Sequence, residues 1–114
     1  MVSLKLRSRI WLVDEKDKIV MGEGRSRIFE IIEQTGSINK TAKLMRMSYK
    51  GVWSKIRASE EHFQTKLVNT HRQKGTRLTP EGKRLLERYK LLKQKCMERE
   101  EEIFRQLFGP EMRE

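Results

Sequence analysis

The chain has 114 residues with a single cysteine, a formal net charge of +10, charged side chains at 37% of positions and an isoelectric point near 10.1. That length suits one domain with a modest core, Cys96 alone excludes an internal disulfide and fits a reducing cytosol, and no run approaches the ~18 apolar residues of a membrane span. The amino terminus carries charges inside its apolar run and no cleavage pattern, so a cytoplasmic protein is expected.

Taken in order, the chain opens on an alternation. Leu4, Leu6, Ile10 and Leu12 share one face and Lys5, Arg7 and Arg9 the other, which predicts a half-buried strand over Leu4 to Val13. The polar run Asp14-Glu15-Lys16-Asp17-Lys18 predicts a turn, and Ile19-Val20-Met21 a returning strand, making a β-hairpin. Trp11 and Val13 point away from Leu4 and Leu6 and are expected to cover a neighbouring helix or a partner subunit. A helix follows over roughly Glu23 to Thr35, with Ile28, Ile31, Ile32 and Thr35 facing inward. Gly36 stands where a left-handed C-terminal cap belongs, and Ser37 where the next helix needs an N-cap.

Ser37 to Phe63 reads as two helices broken near Arg46–Ser48. Ile38, Ala42 and Met45 recur at helical spacing on the first, flanked by Leu44. Val52, Trp53, Ile56 and Phe63 do so on the second, with Trp53 expected in the core. Ser48 is placed to cap the second helix, and its outward positions are Ser48, Tyr49, Lys50, Ser54, Lys55 and Arg57. Hydroxyls, an aromatic ring and cations on the outer face of the second of two short helices predict a helix-turn-helix. Lys66 to Arg72 and Thr76 to Thr79 then predict two short strands around Gln73-Lys74-Gly75, a basic hairpin in the position of a wing. Thr79-Pro80-Glu81 opens a last helix with an N-cap, a first-turn proline and a first-turn acid, and Gly109-Pro110 closes it after Phe108. Leu85, Tyr89, Leu92, Cys96 and Ile103, with Phe104 on a second stripe, line a helix too long for its own core, so these residues are expected to pack against a second copy. The expected division is a hairpin plus winged helix-turn-helix over residues 1–80 and a dimerisation helix with tail over 81–114. The fold class is mainly α with small β.

The excess charge is concentrated. Ser37 to Arg84 holds twelve Lys and Arg against three Glu, whereas the segments before and after are nearly balanced. A solvated surface mixes signs, so a polyanion is the expected partner. Lys50, Lys55 and Ser54 are the expected groove-facing residues, since lysine donates to guanine O6 and N7. Tyr49 stacks on sugar or donates to phosphate on this reading. Arg57, Asn39, Lys40 and the wing residues Arg72, Lys74 and Arg77 suit the backbone. His62 and His71 make no metal-ligand set, no cofactor is expected, and neither a nucleophile–base pattern nor a phosphate loop points to catalysis.

The pieces Gly22-Glu23-Gly24-Arg25, Thr35-Gly36-Ser37-Ile38, Ala42, Met47-Ser48-Tyr49-Lys50, Val52-Trp53, Leu67-Val68 and Arg77-Leu78-Thr79-Pro80-Glu81-Gly82 resemble the DNA-binding domain of the ModE-type, molybdate-responsive bacterial regulators, akin in this domain to the LysR type. The resemblance covers roughly residues 4 to 95. It implies a winged helix-turn-helix that binds operator DNA as a homodimer, with Ser48, Tyr49 and Lys50 opening the recognition helix. Three departures stand out. The wing is shorter than the glycine-rich wings usual in the family. Arg46 replaces the usual turn glycine. Full-length members bind molybdate in C-terminal domains for which a chain ending at Glu114 has no room, so no molybdate binding is expected from this chain alone. Two other readings stay open on the residues: a protein-interaction adaptor reusing the winged fold, and a non-specific architectural nucleic-acid binder.

Overall fold

The largest continuous apolar stripe, Ile28, Phe29, Ile31 and Ile32, lies on a central helix, and the rest of the chain is wrapped to bury it. The structure, a computed structural model, describes residues 2–109. In chain order the elements are β1 (Leu12–Val13), β2 (Ile19–Met21), α1 (Glu23–Thr35), α2 (Ile38–Met45), α3 (Tyr49–Phe63), β3 (Val68–His71), β4 (Gly75–Leu78) and α4 (Pro80–Phe108). β1–β2 and β3–β4 are separate antiparallel hairpins. Val20, Met21, Ile28, Phe29, Ile32, Ile38, Val52, Ile56, Leu67, Leu86 and Tyr89 form one core to which both hairpins and all four helices contribute.

Local chemistry sets the boundaries. Gly36 adopts φ 68° and its N–H donates to Ile32 O at 2.8 Å, closing α1. Ser37, Ser48 and Thr79 each accept from a backbone N–H three residues on, of Lys40, Gly51 and Gly82, at 3.1, 2.9 and 3.0 Å, so α2, α3 and α4 all begin where the hydroxyl residues predict. Thr35 departs from its expected inward position. It is half-buried, and its hydroxyl bonds to Ile31 O at 2.8 Å.

The amino-terminal strand is a correction. β1 pairs with β2 only at Leu12 and Val13, because β2 is three residues long and the register shifts between them; Leu4 makes an isolated bridge. Ile10 and Leu12 pack on the core, but Leu4 and Leu6 are exposed. The residues before β1 lie against α4 instead: Ser8 Oγ donates to Glu100 Oε2 at 2.6 Å and Tyr89 Oη donates to Ile10 O at 2.8 Å. Trp11 covers the chain's own Gly22, where an added Cβ would fall 2.6 Å from the indole Cδ1.

The same packing corrects the expected dimer face. Tyr89 is 1% exposed in its own core, and burial pushes its hydroxyl pKa up. The backbone at Ile10 accepts from the Tyr89 hydroxyl, so Tyr89 is not open to a second copy. Phe104 is also buried and stacks on Phe108 at 5.1 Å. Leu85 is half-buried against the core, Cys96 is half-buried, and Leu92 and Ile103 are exposed. The first turns of α4 therefore belong to the same core as the helix-turn-helix. The distal turns project from it and present Leu91, Leu92, Met97, Ile103 and Leu107 to solvent. The chain is accordingly elongated, 57 × 30 × 21 Å. Among the described residues no helix is long and apolar enough to cross a membrane.

Candidate nucleic-acid interface

The turn between α2 and α3 is built without glycine. Arg46 takes φ 55° and ψ 44°, and its N–H donates to Ala42 O and Lys43 O. Met47 N donates to Ala42 O at 2.9 Å. A left-handed arginine costs about 1–2 kcal/mol, and these bonds hold the corner in the conformation that a glycine would adopt freely. Met45 and Met47 pack from the corner onto the core.

α3 buries Val52, Ile56 and Ser59 and leaves Ser48, Tyr49, Lys50, Ser54, Lys55 and Arg57 exposed, the division expected for a helix with one reading face. Two expectations fail at its rim. Trp53 is half-buried rather than core, and the Arg57 guanidinium lies over its ring, 5.3 Å from the centroid, a cation–π contact that fixes where the charge points. Phe63 is exposed rather than buried, because Gln64 caps α3 in a left-handed conformation at φ 53° and the last turn overhangs the core. Leu44 on α2 is exposed as well.

Three polar anchors set the position of α3, and apolar periodicity points to only one of them. The Ser59 hydroxyl donates to Val20 O at 2.6 Å and accepts from Arg25 Nη1 at 3.1 Å. Arg25 also donates to Ile19 O, and burial lowers its pKa. Glu60 Oε2 accepts from Leu67 N and Val68 N at 2.9 and 3.2 Å, joining the end of α3 to the start of β3. His62 Nδ1 lies 3.0 Å from Asp14 Oδ2. The N–H of Lys18, then that of Lys16 and the nearby His62, hold the Asp14 carboxyl below its ordinary range against a smaller effect of burial. A signal for Ser59 did exist: it falls on the Val52–Ile56 stripe, a buried position occupied by a hydroxyl.

β3 and β4 pair from Val68↔Leu78 to His71↔Gly75. Val68, Thr76 and Leu78 face the core, while Arg72, Lys74 and Arg77 are exposed at and near the turn. The hairpin is docked on the corner between α1 and α2. Thr76 N donates to Gly36 O at 3.0 Å, and a Cβ on Gly75, whose φ is 76°, would stand 2.3 Å from that oxygen. Two glycines in contact thus seat the wing beside the start of α2, where Asn39 and Lys40 are exposed.

Net charge, not pairing, divides the molecule, since Arg7, Arg9, Arg27, Arg88, Lys95 and Arg105 outside the helix-turn-helix also lack a carboxylate partner among the described residues. Outside the helix-turn-helix, Arg84 pairs with Glu81, Lys90 with Glu30, Lys93 with Glu23 and Arg99 with Glu102. Among the described residues, Lys40, Lys43, Arg46, Lys50, Lys55, Lys66, Arg72, Lys74, Arg77 and Lys83 have no carboxylate partner. An array of unneutralised cations on α2, α3, the wing and the start of α4 fits a polyanion, not mere solvation. Among the same residues no group of three His, Cys, Asp or Glu side chains could hold a metal ion.

Comparison with known proteins agrees with this geometry. A profile described as bacterial regulatory helix-turn-helix protein, lysR family, matches residues 25–83. The chain is similar to the molybdenum transport protein ModE of Azotobacter vinelandii, 33% identical over an alignment of 76 positions that covers 63% of this chain and 28% of that protein. It is also similar to the transcriptional regulator ModE of Haemophilus influenzae, 39% identical over an alignment of 72 positions that covers 60% of this chain and 28% of that one. The chain thus spans little more than a quarter of either relative. In fold it matches Vibrio fischeri DarR, a LysR-type regulator solved in complex with DNA, with a TM-score of 0.57 and 21% identity over 71% of this chain and 28% of DarR.

Proposed function

This chain belongs to the LysR family of bacterial regulatory helix-turn-helix proteins, and from that premise we propose that it regulates transcription by binding double-stranded DNA sequence-selectively as a homodimer. The observation that carries the reading is the array of unpaired cations on elements locked to one another through Gly36–Thr76 and Glu60–Leu67. On this reading α3 enters the major groove. Ser48, Lys50, Ser54 and Lys55 meet base edges there, Tyr49 meets sugar or phosphate, and Arg57, held by Trp53, meets phosphate. Asn39 and Lys40 bind backbone at the start of α2, and Arg72, Lys74 and Arg77 bind it from the wing. Phosphate contacts provide most of the affinity.

The second copy is assigned to the distal part of α4. Its exposed Leu91, Leu92, Met97, Ile103 and Leu107 would be covered by a mate. Two reading heads then meet half-sites about one helical turn, ~34 Å, apart. Selection of bound duplexes from a random pool tests the reading. A two-fold symmetric consensus is expected; enrichment without any consensus would remove sequence choice, and a single asymmetric site would remove the homodimer.

A further inference from the structure

A cleft of about 340 Å³ opens beside the wing, between the end of α1 and the first turn of α4, and the reading above gives it no role. Its walls include Gly36, where the wing docks, and its charged groups are Lys74 and Arg77 from the wing, Lys83 from α4 and Glu33 from α1. None of the three cations has a hydrogen-bond or ion-pair partner among the described residues, although Glu33 lines the same cleft. Arg84, the next residue along α4, is paired with Glu81. Three cations against one carboxylate give the concavity a net positive charge, which a bound anion would neutralise. The cleft also borders the corner from which α2 begins, so it is continuous with two elements already assigned to the DNA backbone.

We propose that this wing-root cleft seats a phosphate group of the duplex backbone, and that Lys83, at the start of α4, is a DNA-contacting residue. The inference rests on the DNA-binding reading and extends the footprint beyond the wing tip onto the long helix. The chemistry recognised is a phosphate oxygen, which a duplex phosphodiester and free inorganic phosphate share. Lysine ammonium and arginine guanidinium groups suit either source.

A phosphate contact is independent of sequence, so a random duplex of about 30 base pairs serves as probe, with affinity measured across a salt series. Lys83→Ala is expected to lower affinity roughly fivefold near 0.15 M salt and to reduce the slope of log affinity against log salt by about one. Lys83→Arg keeps the parental slope, and Glu33→Gln tightens binding by removing the one carboxylate. Arg88→Ala, also exposed on α4 but outside the cleft, leaves slope and affinity unchanged. A Lys83→Ala slope equal to the parent's, with the parent binding well, overturns the inference and leaves the DNA-binding reading intact. No duplex binding by the parent overturns both. Titration with inorganic phosphate separates the sources. Shifts of the Lys74, Gly75 and Lys83 amides at millimolar phosphate, together with an unchanged salt slope, would assign the cleft to the free ion and overturn the duplex seat.

Discussion

Lys50 stands two residues past the N-cap of α3, exposed and without a carboxylate beside it, and Lys74 stands equally free at the turn of the wing. The two differ in what they meet. A side chain at the start of a recognition helix reaches base edges, whereas a wing lysine reaches phosphate. Lys50→Ala is therefore expected to cut binding to a selected duplex about tenfold or more with a smaller loss on a scrambled one, reflecting the ~1–3 kcal/mol of a good base contact. Lys74→Ala is expected to weaken both alike. Equal losses for both variants on both duplexes, measured by anisotropy, would remove Lys50 as a reader.

Asp14 makes a prediction in pH. Its folded-state pKa lies below the ordinary 3.8, so its contribution to stability is complete above that value and disappears as pH falls through the lower, folded one. Asp14→Asn is expected to melt below the parent at neutral pH, with the gap closing as pH falls well below the ordinary 3.8. A gap that persists in acid would show that the loss came from something other than the ionised carboxylate. Single residues of this kind were unevenly legible. The caps Ser37, Ser48 and Thr79 act on backbone three positions away, and sequence displays such pairs directly. Ser59 and Arg25 act together across 34 positions, and Ser59 reaches Val20 across 39, separations at which one sequence shows only a polar residue in an apolar stripe.

Among the elements, the wing joins the core through Val68 and Leu78 and is tied to its neighbours by backbone bonds. Its two principal attachments are the bond from Thr76 N to Gly36 O and the Glu60 carboxylate, which takes two N–H groups at the root of β3. Gly75→Ala places a methyl in the Gly36 carbonyl at a positive φ. It is expected to cost on the order of 2–3 kcal/mol, read as a lowered melting temperature, with weakened DNA binding where the fold survives. Glu60→Ala orphans two N–H groups and is expected to cost about 1–3 kcal/mol. A melting temperature within a degree of the parent for either variant would contradict the docking described. The helices and the wing were legible because each carries its own punctuation. The amino-terminal strand was not: its alternation is real, but a strand needs a partner of equal length, and Ile19–Met21 is too short to supply one.

At the level of the molecule, what was legible in α4 was its length and its surplus of apolar residues. Sequence periodicity could not apportion them between this chain and a second copy. Tyr89 and Phe104 turn inward, Leu92 and Ile103 remain outside, and the segment before β1 runs along the helix from Glu100 back to Tyr89. Ile103→Asp is accordingly expected to shift the mass measured by light scattering from dimer to monomer with little change in melting temperature. A variant that stays dimeric would move the interface off the distal turns.

The root of α4 sets more than its own beginning. Gly82 is buried, and an added methyl there would fall 2.2 Å from the Leu67 carbonyl oxygen, so any larger residue forces a displacement of about 1 Å. Taken over the ~10 Å of helix between Gly82 and Tyr89, that displacement is a tilt of about 6°. Carried along the ~29 Å from Tyr89 to Phe108, it becomes roughly 3 Å. A missing side chain thus sets the angle of a lever that pivots at Tyr89. In an assembly joined at the lever's far end, Gly82 gauges the span between two grooves that it never touches.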